Sequence, residues 1–240
     1  MNTEFSKFDL IIVMPVYNEE GAIITVINNW LNVLNKLGIK YEIRIYNDGS
    51  TDRTSLIVKE NFGHISQVRL IDKVNSGHGP TILLGYRQAL DSDWILQIDS
   101  DDEMQAEPFE QLWINRINYD FLIGYRGNRN SSFLRSCLSF FSRITVIVLF
   151  AKGVYDVNSP YRLMRTSVFK NIFFKIPDST FAPNVIISGY VNKESIKYYT
   201  IEIPFKFRTT GTVSIKSWKF IKVSLKSFKQ IFIFILTNKI

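Results

Sequence analysis

Four short clusters in this chain carry residue types that could do chemistry. The densest is Asp99-Ser100-Asp101-Asp102-Glu103, which follows the apolar run Trp94-Ile95-Leu96-Gln97-Ile98. The run reads as a buried strand. A strand that ends in several carboxylates gathers like charges at one sheet edge, which costs free energy unless a cation or hydrogen bonds neutralise them. Carboxylate oxygens suit a hard divalent ion, Mg2+ or Mn2+, and such an ion commonly holds a diphosphate. The other clusters are Pro15-Val16-Tyr17-Asn18-Glu19, Asn47-Asp48-Gly49-Ser50-Thr51-Asp52 and Asn75-Ser76-Gly77-His78-Gly79. Each alone is compatible with turn chemistry: Asp48-Gly49 is a turn signal, and Ser50 or Thr51 can cap a helix. Their positions relative to the predicted elements decide more.

The first half of the chain alternates. Strands are predicted at 9–14, 41–46, 67–71 and 94–98, and helices at 20–36, 51–61 and 80–90. The first helix shows Ile23, Ile27, Trp30, Leu31 and Leu34 at helical spacing with Gly38 as a stop, and Pro80 suits a first helical position. Such alternation means a mostly parallel α/β sheet covered on both faces. All four clusters then lie beyond the carboxyl ends of strands, where open α/β sheets bind ligands. The second half is less regular. It reads as a long apolar helix at 134–151, a polar loop at 156–162, a helix at 182–191 and a strand pair at 196–207 around Pro204. A single domain over 1–212 with a helical tail over 213–240 is expected.

Composition narrows the class. The 240 residues are 46% hydrophobic, enough for a core, and the net charge of +7 favours anionic partners. One cysteine, Cys137, excludes an internal disulfide framework. The two histidines, His64 and His78, have no metal-ligand spacing between them. The mixed, polar start does not read as a signal peptide. No run reaches the roughly 18–20 apolar residues of a spanning helix. The nearest, 144–151 and 231–236, are short. A nucleic-acid partner is not expected, because no recognised motif accompanies the lysines. The sequence is silent on oligomeric state.

In this order, Val13-Met14-Pro15-Val16-Tyr17-Asn18-Glu19, Asn47-Asp48-Gly49-Ser50-Thr51-Asp52 and Asp99-Ser100-Asp101 resemble the family 2 glycosyltransferases, which use a GT-A (Rossmann-like) nucleotide-sugar-binding fold. Asn75-x-Gly77-x-Gly79, Gly124-Tyr125-Arg126, Asp156 with Tyr161-Arg162, and Arg208-x-x-Gly211 look like the dolichyl- or polyprenyl-phosphate sugar synthase branch. The resemblance implies that Pro15, Tyr17, Glu19 and Asp48 form the base and ribose pocket, with Asp48 accepting from a ring N–H. It makes Asp101 the principal metal ligand of a D-x-D motif, with Asp99 near the ribose or sharing the metal. Glu103 stands where the branch carries a metal-approaching Gln, which keeps an oxygen ligand and adds a charge. Gly77 and Gly79 would let backbone approach the substrate, and Asp156 would belong to the same substrate site.

The implied reaction breaks the bond between an anomeric carbon and a diphosphate through an oxocarbenium-like transition state. Arg126, Arg162 and Arg208 are candidates to hold the departing phosphates, because guanidinium matches phosphate geometry with two parallel hydrogen bonds. A sugar-hydroxyl acceptor needs a base, and the region where hydroxyl-accepting relatives often carry one reads Phe181-Ala182-Pro183-Asn184; Asp178 is near but displaced. A phosphate monoester, with a second pKa of about 6, needs none. The expected activity is therefore inverting, metal-dependent transfer of a hexose from a UDP- or GDP-sugar to a polyprenyl phosphate. The alternatives are a hydroxyl acceptor on a lipid-linked or cell-surface glycan, and a non-catalytic nucleotide-sugar-binding module. Lys216, Lys219, Lys222, Lys226 and Lys229 fall within an arc of roughly 140° at helical spacing, opposite Trp218, Ile221, Leu225, Phe228 and Phe232. That pattern predicts an interfacial helix on an anionic membrane, hence peripheral attachment to the cytoplasmic face.

Overall fold

The computed structural model describes residues 7–126 and 156–204, with Gln230, Phe232 and Phe234 from one further helical stretch. In chain order the elements are β1 (Phe8–Val16), α1 (Ile23–Leu37), β2 (Tyr41–Asp48), α2 (Thr54–Phe62), β3 (Val68–Lys73), α3 (His78–Gln88), β4 (Ser92–Gln97), α4 (Phe109–Asn115), β5 (Phe121–Arg126), β6 (Arg162–Arg165), α5 (Thr166–Lys175), α6 (Pro183–Lys193) and β7 (Tyr198–Ile203). Among the described residues the strands form one seven-stranded sheet in the order β3-β2-β1-β4-β6-β5-β7. The β1–β2, β1–β4, β2–β3 and β5–β7 pairs are parallel; β6 runs antiparallel to both β4 and β5.

The apolar run of β1 explains the layers. Successive side chains of a strand point to opposite faces, so an uninterrupted apolar strand must be covered on both. Leu10, Ile12 and Met14 join one core with α1, α2 and α4 through Ile27, Leu34, Val58, Phe62, Phe109 and Leu112. Ile11 and Val13 face the other core, with Tyr86 of α3, Phe169 and Phe173 of α5, and Val185 and Ile187 of α6. Trp30 of α1 meets Phe109 of α4 and Tyr161 ahead of β6, with ring centroids 5.6 Å away in each case. Phe234 is buried in the α3–α5–α6 core, and Gln230 bonds the Phe181 N–H at 3.1 Å and the Ser179 carbonyl at 3.0 Å. At Gln230 and Phe234 the tail packs on the protein, while Phe232, the described residue of the predicted membrane face, is 44% exposed. The lysines of the tail and the apolar helix expected at 134–151 lie outside the described residues.

The doubly covered parallel arrangement agrees with the sequence reading, as do the first four strands and first three helices, with ends shifted by a few residues. The elements α4, β5, β6 and α5 were not predicted. The loop expected through 162 ends one residue sooner, because Arg162 opens β6. At Gly79 a Cβ would overlap the carbonyl oxygens of Thr180 and Phe181, so the close approach in the structure is to the protein's own backbone. Gly79→Ala is expected to lower stability by about 1–3 kcal/mol despite alanine's better helix propensity, since backbone must move. Gly38→Ala, at φ 62° with open space around it, should cost about 1 kcal/mol. Urea unfolding of the two variants checks the order.

Candidate active site

The carboxyl ends of β1, β2, β4 and β5 and the start of α3 surround one crevice, and hydrogen bonds between loops fix its rim. Asn18, at φ 55°, donates its backbone N–H to Ser50 Oγ at 2.9 Å and accepts the Thr51 N–H on Oδ1 at 2.8 Å. Asp52 accepts the Glu20 N–H at 3.1 Å while Glu20 accepts the Arg53 N–H at 3.0 Å. The Glu19 N–H reaches Thr54 Oγ1 at 2.9 Å, and the Glu19 carbonyl starts α1 through Ala22 and Ile23, both at 3.0 Å. Much of the polarity of the first two clusters therefore holds them to each other. Pro15 is buried at the end of β1, and its carbonyl accepts the Ser100 hydroxyl at 3.2 Å, which ties β1 to the acidic loop. Tyr17 is 43% exposed over this rim.

Asp48 is a structural hub. Its carboxylate accepts from Lys73 Nζ and from the backbone N–H groups of Ser76 at 2.8 Å and Gly77 at 2.9 Å. Burial pushes this carboxyl up, but the bonds from Lys73, Ser76 and Thr81 and the charge of Lys73 outweigh it and hold it below its ordinary value. Gly77, at φ 93°, makes the turn that aims both N–H groups inward. The expected bond from Asp48 to a nucleobase is thus an addition to a carboxylate already committed to the 73–77 loop. Lys73 was not singled out from the sequence; a lysine ending an ordinary strand gives no signal.

The acidic cluster is the centre of the site. The Glu103 N–H bonds Asp101 Oδ1 at 3.2 Å across a turn in which Asp102 has φ 55°. Burial, then the charges of Asp99 and Glu103, push the Asp101 carboxyl up to about 6, against the pull of the Glu103 N–H and Arg126. Arg126, at the end of β5, places Nη2 4.0 Å from Asp99 Oδ2 and 3.7 Å from Glu103 Oε2. His78 Nε2 lies 3.8 Å from Asp99 Oδ1, and that oxygen is buried with no hydrogen-bond partner. Among the described residues no three His, Cys, Asp or Glu side chains already close around one point as a finished metal cage. The orphaned oxygen, the raised Asp101 carboxyl and the all-oxygen donors nevertheless fit a hard divalent cation, which would relieve both strains.

Two expected residues lie elsewhere in kind. Arg162 is fully buried. It donates to the carbonyls of Ser159 (2.9 and 2.7 Å), Val157 (3.0 Å) and Asn184 (3.1 Å). Its guanidinium is spent inside the fold and does not face a phosphate. Asp156 makes the turn that feeds it, with φ 54° and its carbonyl accepting the Ser159 N–H at 3.0 Å. Asp178 is 91% exposed and paired with Arg87, away from the acids. Arg208 lies outside the described residues. Asn184 joins a buried trio that the sequence did not signal: its Nδ2 donates to Gln97 Oε1 at 2.8 Å, and the Tyr86 hydroxyl lies 2.7 Å from that oxygen and 2.9 Å from Asn184 Oδ1.

The family model described as Glycosyl transferase family 2 matches residues 11–173, more than half of the chain, and the chain belongs to that family. It is 26% identical over 199 residues to the undecaprenyl-phosphate 4-deoxy-4-formamido-L-arabinose transferase of Edwardsiella ictaluri, covering 81% of this chain and 58% of that protein. It is 27% identical over 179 residues to a dolichyl-phosphate beta-glucosyltransferase of Trichomonas vaginalis, covering 68% of this chain and 55% of the relative. The chain thus spans little more than half the length of these relatives. Glucosyl-3-phosphoglycerate synthase from Mycobacterium tuberculosis superposes with a TM-score of 0.67 at 14% identity, over 95% of this chain and 80% of that one. S. aureus TarS superposes at 0.56 with 19% identity, over 95% and 65%. The fold is GT-A.

Two expectations follow from this geometry. Arg162→Lys should destabilise by about 2–4 kcal/mol in urea unfolding, since a lysine cannot serve three carbonyls from one planar fork. In metal-free protein the Asp101 contribution is present below its ordinary value near 3.8 and lost as pH rises through about 6, because the folded state holds the proton longer than the unfolded chain. The stability difference between wild type and Asp101→Asn should therefore shift against wild type between those pH values. Saturating Mn2+ should reverse the shift above pH of about 6.

Proposed function

We propose that this chain catalyses inverting, metal-dependent transfer of a hexose from a UDP- or GDP-sugar to a polyprenyl phosphate at the cytoplasmic face of a membrane. The observation that carries the reading is the acidic cluster: Asp99 and Glu103 flank Asp101, a buried Asp99 oxygen accepts no hydrogen bond, and Arg126 Nη2 lies 4.0 Å from Asp99 and 3.7 Å from Glu103, with burial and the neighbouring charges pushing the Asp101 carboxyl up. The names of the relatives, which pair sugar transfer with undecaprenyl and dolichyl phosphate, support the acceptor class. The Mycobacterium tuberculosis neighbour was solved with Mn2+ and UDP-glucose, which supports the donor class and the ion.

Asp99, Asp101 and Glu103 are the residues that would hold the cation, which when bound supplies Lewis-acid stabilisation to a diphosphate leaving group. Arg126 adds a guanidinium on the same side, able to grip phosphate oxygens as their charge grows. Tyr17, exposed on a rim pinned by Asn18, Ser50 and Thr51, offers a ring face to a nucleobase. On the acceptor side, the region that the resemblance compares with the base of hydroxyl-accepting relatives, Phe181-Ala182-Pro183-Asn184, carries no carboxylate, and Asn184 is its one polar side chain. It is a neutral amide, 7% exposed and locked to Gln97 and Tyr86. Asp178 is turned to solvent. A phosphate monoester arrives largely ionised near neutral pH and attacks without help. Attack on the face opposite the leaving group inverts the anomeric centre. Membrane attachment rests on the lysine stripe at 216–229, whose attraction to anionic lipid is screened by salt.

The test is transfer by purified protein from a panel of UDP- and GDP-sugars to undecaprenyl phosphate, with Mg2+ or Mn2+. A lipid-phosphate glycoside of inverted configuration should form, and Asp101→Ala should lower its rate by about 10²–10⁴-fold. Turnover only with glycan hydroxyl acceptors would overturn the acceptor assignment. Donor binding with no turnover on any acceptor would favour a non-catalytic module.

A further inference from the structure

His78 has no sequence partner that would mark it as a ligand, yet the fold sets it at the acidic cluster. It is the first residue of α3, following the positive-φ turn at Gly77 that Asp48 fixes through the Ser76 and Gly77 N–H groups. Its side chain is 57% exposed at the crevice, with Nε2 3.8 Å from Asp99 Oδ1. Arg126 stands at the other Asp99 oxygen, at 4.0 Å. The oxygen facing the imidazole is buried and accepts no hydrogen bond, which is costly for a carboxylate unless a cation completes it.

The 3.8 Å gap is informative. A hydrogen bond between nitrogen and oxygen spans about 2.7–3.2 Å, so the pair is too far apart for direct bonding. Two metal bonds of about 2.0–2.2 Å span about 3.0 Å at a right angle and at most about 4.0–4.4 Å in line, so one ion reaches both atoms once the exposed His78 ring shifts by less than about 1 Å. We propose that His78 Nε2 is a nitrogen ligand of the divalent cation, which it shares with Asp99 Oδ1. The proposal rests on the metal-dependent reading above and deepens it, because a nitrogen ligand changes which ion the site prefers. Mg2+ favours oxygen and keeps its waters, whereas imidazole suits the transition ions. A site with His78 in it selects Mn2+ over Mg2+. A neutral imidazole also adds a ligand without adding to the negative charge of three carboxylates.

The test is electron spin-echo spectroscopy of the full chain loaded with Mn2+, with and without UDP or GDP. A nitrogen-14 modulation is expected in wild type and in His64→Ala, and should be absent from His78→Ala. Titration calorimetry should give His78→Ala an Mn2+ affinity about tenfold weaker with Mg2+ affinity nearly unchanged. The exposed ring makes the variant safe for the fold, which thermal melting verifies. Mn2+ bound with phosphorus modulation from the nucleotide but no nitrogen modulation would overturn the His78 assignment and leave the metal site intact. Nitrogen modulation that survives in His78→Ala would overturn it too. No Mn2+ binding in any state would overturn the metal-dependent reading itself, and the proposal with it.

Discussion

Asp99, Asp101 and Glu103 leave the end of β4 within one turn of chain, and their mutual repulsion in a partly buried place organises what surrounds them. Locally the Glu103 N–H offsets part of it by bonding Asp101 at 3.2 Å, and further relief comes from distant elements. β5 is separated from β4 by the antiparallel β6, with Gln97 opposite Arg162 and Arg162 opposite Ile123. β5 continues past that pairing to Arg126, which overhangs the acids from two strands away. From the other side, α3 begins at His78. The acidic cluster is tolerable only because three separately encoded elements end at one place.

Beneath that charged layer the structure uses polar groups as internal fasteners. Arg162 gathers the carbonyls of Val157, Ser159 and Asn184, joining the turn at 156–160, the start of β6 and the start of α6. Burial lowers the pKa of this guanidinium, and the charges of Tyr86, Asp156 and Asp99 only partly restore it. Gln97, Asn184 and Tyr86 then lock β4, α6 and α3 together. A site of this kind gains precision from a rigid supporting shell, and here the shell is made of buried hydrogen bonds as much as of apolar packing.

The legible part of the sequence was the part with period and punctuation. Apolar strands alternating with amphipathic helices marked β1 to β4 and α1 to α3, and polar clusters after each strand marked the crevice. The missed elements lack those signals. β6 is four residues, Arg162–Arg165, with an arginine at each end, and α5 starts directly after it with no intervening turn. A buried arginine contradicts hydropathy and becomes sensible only once the three carbonyls around it are known. Gly79 advertises close approach without saying what approaches, and the partner, the 180–181 backbone, lies about a hundred residues on. His78 and Asp99 are twenty-one residues apart, and only the packing of α3 across β1 and β2 brings them together.

The clamp made by Gln230 has a mechanical consequence. Its amide holds both sides of the 179–181 turn, Phe234 is seated in the core nearby, and that same turn is the floor on which Gly79 rests. Lifting the tail must break two hydrogen bonds, wet an aromatic ring and unseat the floor under the first turn of α3. A displacement of Gln230 is therefore delivered, through its side-chain amide and the 179–181 backbone, to the start of α3, where His78 faces Asp99.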